Sequence, residues 1–449
     1  MMDEPIISVS GMRGIVGASL TPERVARYVA AFASTLSPGP LVVSRDGRAN
    51  GGPVVEQVCS TLQQLGRDVL AADIAATPTA AVLVLEQGAA GGIQVSASHN
   101  PPEYNGLKLL AANGRMVPAA EGQVVLERYQ DGPVTSDPGS AGSLHQIAQV
   151  SATHLQRILD TVDVEQIRRR HFRVLLDANH GAGSLLGRPL LEALGCQATF
   201  VGETPDGQFE HPAEPTAENL APLLPQLADH RFDVSFCQDP DADRLAIVDE
   251  QGRYLGEELT LALCLDHVLP ARAGSVVTNC ATSTSCQQIA DRHGVPFFRS
   301  AVGEANVVDM MLDQDACFGG EGNGGPIDPQ VVLARDSFVG MAQVLDALAE
   351  SDRPLSRLAD QLPQFQIHKA QVSLARESVA DLLELLEESF PEADANRLDG
   401  LRLDWPDRWL LVRSSNTEPI VRCIAESNDA EQSRQLCRQV EKLAGQVSG

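Results

Sequence analysis

Three stretches of this 449-residue chain repeat one local plan, and that repetition narrows the fold more than any other feature. Pro40-Leu-Val-Val-Ser-Arg-Asp-Gly47, Phe172-Arg-Val-Leu-Leu-Asp-Ala-Asn-His180 and Ser275-Val-Val-Thr-Asn-Cys280 each run from an apolar strand to a polar or Gly-rich tip, and a helical pattern follows. That sequence of elements is the unit of an α/β layer, with functional loops gathered at the strand ends. The length predicts about three such domains. The last segment departs from the plan. Phe365 to Leu374 reads as a strand, and Ser378 to Glu388 as an amphipathic helix with Leu382, Leu383 and Leu386 on its apolar side. Short strands around Trp409 and Val421 follow. A closing helix starts near Asn428, which has capping-box spacing to Glu431. This is a smaller α+β unit.

The richest local signal is Ser96-Ala-Ser-His-Asn-Pro-Pro-Glu-Tyr-Asn-Gly-Leu-Lys-Leu-Leu110. The strand-like Gly92-Ile-Gln-Val-Ser96 must stop at Asn100-Pro101-Pro102, because proline disfavours continued regular structure. Ser98 is expected on a stiff loop, with its hydroxyl exposed and fixed in direction, as a nucleophile or phosphate carrier requires. Lys108 is close enough to supply charge or a proton. A Ser-His pair alone is usually an ordinary turn, so distant segments must supply the remaining parts.

Three do. Asp239-Pro-Asp-Ala-Asp-Arg244 sets three carboxylates on alternate positions after the strand-like Phe232-Asp-Val-Ser-Phe-Cys237. Such a loop can converge them on one hard cation, Mg²⁺ or Ca²⁺. Glu250 sits where an EF-hand would place its last ligand, but Arg244 replaces the mid-loop glycine and the flanks read as strands. The bland alternative is a solvated acidic turn. Arg413-Ser-Ser-Asn-Thr-Glu-Pro-Ile-Val-Arg422 brackets hydroxyls, an amide and turn N–H groups with two arginines, a dianion cradle; its bland reading is a Ser-rich hairpin. Phe318-Gly-Gly-Glu-Gly-Asn-Gly-Gly-Pro326 lets backbone approach a ligand closely, with Glu321 and Asn323 projecting toward hydroxyl or amine groups. It is neither a dinucleotide fingerprint nor an ATP phosphate loop.

The four loops together, in this order and spacing, resemble those of the α-D-phosphohexomutases, which include phosphoglucomutase, phosphomannomutase and phosphoglucosamine mutase. The resemblance spans essentially the whole chain. It implies four domains around a central cleft, here divided as 1–145, 146–253, 254–362 and 363–449. It implies that Ser98 is a phosphoserine and that Asp239, Asp241 and Asp243, with Ser98, hold Mg²⁺. Arg413, Ser415, Asn416, Thr417 and Arg422 would grip the substrate's phosphate. Glu321 and Asn323 would contact sugar hydroxyls or a C2 substituent, and Val302-Gly303-Glu304 resembles a second sugar loop that includes Gly303. Arg13, in Gly11-Met-Arg-Gly14, resembles the N-terminal active-site arginine, and Lys108, His99 and Arg244 fill charged positions around the serine. Many bacterial relatives carry Gly-Glu-x-Ser-Gly-His, whose histidine is a proton-transfer candidate; here Asn323 replaces the serine and Gly325 the histidine. The implied activity is interconversion of hexose 6-phosphate and hexose 1-phosphate through a 1,6-bisphosphate. Phosphoglucosamine mutase is the first reading and phosphomannomutase/phosphoglucomutase the alternative. A Mg²⁺-dependent sugar phosphatase would use the same serine and metal without needing the cradle, and an idle sugar-phosphate sensor would need no transfer apparatus.

Composition bounds the partners. A net charge of −26 argues against nucleic acid and anionic membranes, so an anionic sugar must be captured by a local basic site. Lys108, Lys369 and Lys442 are the only lysines, and arginine carries the remaining positive charge. Nine scattered cysteines without a C-x-x-C pair read as reduced thiols of a cytoplasmic protein. The start is no signal peptide and no apolar run reaches membrane length. A monomer or homodimer is expected. His145, His154, His171, His267 and His293 show no metal spacing and read as surface or core residues; Trp405 and Trp409 read as packing of the last domain.

Overall fold

The computed structural model describes residues 4–8, 11–132, 139–227, 231–415 and 420–447. Within them the chain lays down four sheets in sequence order, three mixed and one antiparallel. In the first, Leu41–Arg45, Val69–Ile74 and Gly91–Val95 run parallel, and Tyr104–Ala111 and Gly11–Ile15 add antiparallel strands at one side. The second repeats this with Arg173–Asp177, Gln197–Val201 and Val234–Gln238 parallel and Leu245–Asp249 antiparallel. The third does so with Val276–Asn279, Phe297–Ser300 and Phe318–Glu321 parallel and Gly325–Ile327 antiparallel. Strands such as Leu41–Arg45 and Val234–Gln238 are buried along nearly their whole length. Helices cover both faces of a parallel sheet, so its strands read as continuous apolar runs.

Pairing carries two sheets past the turn-rich joints. Leu144–Gln146 lies parallel on Val69–Ile74 in the first sheet, and Tyr254–Leu255 pairs with Val248 in the second. The fourth unit is smaller and its sheet is antiparallel, with Gln366–Ser373, Ile420–Ser427, Arg408–Ser414 and Leu401–Asp404 in adjacent register. Leu382, Leu383 and Leu386 of the helix Val379–Ser389 are buried against it.

One expectation fails locally. The closing helix Ala430–Val447 is capped by Asp429, not Asn428: its Oδ1 accepts from the N–H groups of Glu431 at 2.7 Å and Gln432 at 3.0 Å. The Ser427 hydroxyl turns the chain by bonding the backbone of Asp429, which moves the cap one residue on.

The first three units share one apolar core. Leu83, Ile158 and Phe338, from helices Thr77–Glu86, Ala152–Leu159 and Ser337–Ser351, belong to the same buried cluster. Shared burial fixes the loops of these units relative to one another, since close-packed interiors transmit displacement rather than absorb it. The fourth unit keeps its own core and meets the third through Cys280, Trp409 and Leu411. There Trp409 Nε1 donates to Glu426 at 2.6 Å, and the same carboxylate oxygen accepts from Thr284 N at 2.9 Å. Trp409 therefore packs the joint between two domains and not only the last one.

Candidate active site

The serine loop leaves the buried strand Gly91–Val95, and one arginine gathers four of its carbonyls. The Arg48 guanidinium donates to the carbonyls of Ser98, Asn100 and Pro101, each at 2.6 Å, and of Tyr104 at 3.2 Å. Asp46 orients it at 3.2 Å and accepts from the Ser96 hydroxyl at 2.7 Å, while Ser96 Oγ accepts from Ser98 N at 2.9 Å. This scaffold over-determines Ser98, which sits at φ +48°. A non-glycine residue in that left-handed region stores on the order of 1–3 kcal/mol, tolerated where the surroundings hold it. Sequence reading passed over Arg48; its signal was Arg45-Asp-Gly-Arg48 at the tip of the first repeated strand.

Ser98 is not the exposed hydroxyl the sequence suggested, because it is 1% accessible. The loop Asp239–Arg244, the expected metal loop, covers it: Ser98 Oγ donates to Asp239 Oδ2 at 2.8 Å. That loop joins Val234–Gln238 to the antiparallel Leu245–Asp249, with Gln238 opposite Leu245, so it is a hairpin tip rather than a helix-flanked EF-hand. Glu250 lies elsewhere, accepting from Ser356. Asp239, Asp241 and Asp243 are fully buried, and each offers an oxygen within 4.8 Å of the others.

Three carboxylates this close repel one another, and burial adds to the cost. Burial, then Asp243 and Asp241, push the Asp239 carboxyl well above its ordinary range. Burial acts on Asp243 too, but Arg335, Lys108 and Arg244 outweigh it and hold that carboxyl well below the usual range. Lys108 Nζ lies 2.5 Å from Asp241 and 2.8 Å from Asp243, and these anions keep the buried ammonium charged against its burial. Arg335 reaches Asp243 at 2.6 Å. Asp241 Oδ1 and Asp243 Oδ1 remain buried without a hydrogen-bond partner among the described residues. Unsatisfied carboxylate oxygens converging beside a serine hydroxyl form an all-oxygen donor set, which fits a hard divalent cation.

A cavity of about 530 Å³ opens beside this cluster, within the range of small-molecule sites. His99 and Arg244 line it from the serine and metal loops, Glu321 and Asn323 from the third domain, and Lys369 and Arg422 from the fourth. Glu321 is fixed on both oxygens: one accepts from Asn279 at 2.6 Å and Gly303 N at 3.1 Å, the other from Arg335 at 3.0 Å and Asn323 at 3.3 Å. Gly303 itself, at φ +119°, precedes the helix Glu304–Asp313. His99, expected among the charged groups, is neutral: Arg244, burial and Arg13 push its imidazole down to about 2. At 3.4 Å from Ser98 Oγ it is a hydrogen-bonding neighbour rather than a store of protons. Arg13 stands on Gly11–Ile15, where burial lowers its pKa and Asp241 opposes the shift. Arg244 Nη1 is paired with Glu214 at 2.6 Å.

The residues expected to form a phosphate cradle are divided. Arg413 and Arg422 face each other across adjacent strands. Arg413 Nε is held at 2.9 Å by Asp399, which also accepts from Val302 N at 3.0 Å. Arg422 is exposed and lines the cavity. Ser415 N donates to Ile420 O at 2.9 Å. Asn416 and Thr417 lie outside the described residues. Two cleft residues had no sequence signal: Lys369 on the strand Gln366–Ser373, and the half-buried Glu258, which accepts from Ser283 N at 3.0 Å.

Comparison with known proteins agrees over the whole length. Family models described as phosphoglucomutase/phosphomannomutase alpha/beta/alpha domains I, II and III match residues 6–133, 152–252 and 257–365, and that of the C-terminal domain matches 371–443. A phosphoglucomutase/phosphomannomutase of Thermococcus kodakarensis is 35% identical, covering 95% of each chain. A probable phosphoglucosamine mutase of Methanopyrus kandleri is 32% identical at the same coverage. The crystal structure of a phosphoglucomutase/phosphomannomutase family protein from Burkholderia thailandensis superposes with a TM-score of 0.85 at 24% identity, over 99% of both chains.

Proposed function

Because this chain belongs to the phosphoglucomutase/phosphomannomutase family, whose members are phosphohexomutases and hence isomerases, we propose that it moves phosphate between O6 and O1 of a hexose through Ser98. The sugar we assign first is glucosamine, with mannose and glucose as the alternative. The observation that carries the reading is the hydrogen bond from Ser98 Oγ to Asp239, beside a cavity that His99 and Arg244 line together with Lys369 and Arg422. A phosphatase has no use for the last two cations.

In this reading, phospho-Ser98 donates its phosphoryl group to the free hydroxyl of a bound monophosphate. The resulting 1,6-bisphosphate turns over in the cleft, and its other phosphate returns to Ser98, which leaves the isomeric monophosphate. Arg422 and Lys369 hold whichever phosphate is not being transferred. Lys108 and Arg335 balance charge around the reacting group, and Glu321 with Asn323 orients the sugar ring. Asp239, Asp241 and Asp243, with an oxygen of the phosphorylated Ser98, would hold Mg²⁺, which when bound neutralises charge on the transferring phosphoryl group. Among the described residues no helix is long and apolar enough to cross a membrane.

The support for glucosamine is the name of the Methanopyrus relative, set against that of the slightly more similar Thermococcus one. Assaying glucosamine, mannose and glucose 6-phosphates side by side tests the assignment: a higher kcat/KM for mannose or glucose would reverse it. Intact mass should show a phosphate adduct that is absent in Ser98→Ala, and full mutase activity in that variant would remove Ser98 from the mechanism.

A further inference from the structure

His154 stands where three domains meet, and its two ring nitrogens are bonded to two of them. Nδ1 lies 2.9 Å from Thr79 Oγ1, on the first domain's helix Thr77–Glu86. Nε2 lies 2.7 Å from Asp336 Oδ2, at the N-terminus of the third domain's helix Ser337–Ser351. His154 and Asp336 are fully buried, Thr79 is 2% exposed, and Phe338 packs edge-on against the imidazole. Since the carboxylate can only accept, Nε2 carries a proton. In the neutral ring Nδ1 then accepts from the Thr79 hydroxyl, so the tautomer is set by its partners.

Each partner also leads directly to the metal loop. Two residues before Thr79, Thr77 donates to Asp241 twice, from its hydroxyl to Oδ2 and from its N–H to the carbonyl at 2.9 Å. One residue after Asp336, Ser337 Oγ donates to Ala242 O at 2.7 Å and accepts from Gln238 Nε2 at 2.8 Å. Asp336 Oδ1 caps the same helix through Phe338 N at 2.9 Å. The contacts close into a ring: Asp241, Thr77, Thr79, His154, Asp336, Ser337, Ala242. Ala242 is at φ +55°, so the loop is bent where the ring grips it.

We propose that His154 is a positioning residue for the cation site: by tying Thr79 to Asp336 it holds the first and third domains against opposite sides of the metal loop and sets the spacing of Asp241 from its neighbours. The proposal rests on reading Asp239, Asp241 and Asp243 as a cation site. No ring member other than Asp241 would touch the ion, so the ring acts on affinity through loop geometry, as outer hydrogen bonds do around metal ligands.

The test is Mn²⁺ titration of the full-length protein followed by electron paramagnetic resonance, paired with steady-state kinetics. Thr79→Val keeps shape and removes one link; His154→Phe keeps the ring and removes both. Each should raise the Mn²⁺ dissociation constant about 10-fold or more and lower kcat, while KM for the hexose phosphate stays put. Should His154→Phe not fold, Thr79→Val decides alone. Wild-type Mn²⁺ affinity in the folded variants, even with a lowered melting temperature, overturns the positioning role and leaves the cation site standing. If the unmodified protein binds no Mn²⁺, cation site and positioning role fall together.

Discussion

Arg335 lies across Gly325 so closely that a Cβ on that glycine would stand 2.5 Å from the arginine Cδ. The space matters because the guanidinium beyond it reaches Asp243 at 2.6 Å and Glu304 and Glu321 at 3.0 Å. One side chain thereby joins the aspartate loop of the second domain to Glu304 and Glu321 of the third. The missing side chain at Gly325 leaves room for an arginine arriving from another segment.

Gly325→Ala should therefore disturb the protein far more than a methyl group on a strand normally would. Overpacking of this kind costs about 1–3 kcal/mol, and the displaced Arg335 loosens its hold on three buried carboxylates. Urea unfolding should show the loss and kinetics a fall in kcat. An unchanged midpoint with wild-type turnover would mean that Arg335 has another route.

Arg48→Met tests the serine loop without touching the serine. It removes the fork that gathers the carbonyls of Ser98, Asn100, Pro101 and Tyr104 and leaves Asp46 buried without its cation. Breaking a buried ion pair this way costs about 3–5 kcal/mol. Arg48→Lys should recover little, because one ammonium cannot serve four carbonyls. Melting curves and phosphorylation of Ser98 followed by intact mass are the readouts.

Arg422→Ala separates a mutase from a phosphatase. Loss of a charge-assisted contact to the phosphate not in transfer should lower kcat/KM by the equivalent of about 1.5–3 kcal/mol, with little effect on Ser98 phosphorylation by a small donor such as acetyl phosphate. Unchanged kinetics toward glucosamine 6-phosphate would sink the two-phosphate intermediate.

Glu258 gives the fold a pH dependence of definite sign. Burial, partly offset by Lys369, pushes its carboxyl up to about 8, against an ordinary value of 4.5. The folded state then binds the proton more tightly than the unfolded one. Stability from this group is complete below pH 4.5 and is lost as pH rises toward 8. Glu258→Gln should match the wild type in acid and exceed it progressively above neutrality. Denaturation midpoints measured across that range check this, and parallel curves would contradict it.

What the sequence disclosed and what it withheld divide by distance along the chain. Ser98, the three aspartates, Glu321 and Arg422 lie in short segments whose composition already implies chemistry. Arg335 and His154 stand alone in unremarkable surroundings, and the strand tip that carries Arg48 does not name its partners; the three act on residues 92, 182 and 50 positions away. Local pattern has no access to such pairings. The three α/β units were legible because apolar runs recur before polar tips. The cap at Asp429 was not, because the Ser427 hydroxyl, rather than a propensity, decides where that helix starts.

The partners of Lys108 have a consequence for biosynthesis. Its ammonium is buried on the first sheet, but Asp241 and Asp243 lie 133 and 135 residues further along the chain. At ribosomal speeds that is an interval of roughly 7–27 s, during which a nascent first domain holds a cation without its counter-charges. The serine loop then lacks both its cover and the electrostatic reason for Lys108 to stay inside. The setting of Ser98 is thus completed only once the second domain emerges. Chains arrested on the ribosome before residue 239 should remain protease-sensitive around Ser98, and those arrested well past residue 249 should not.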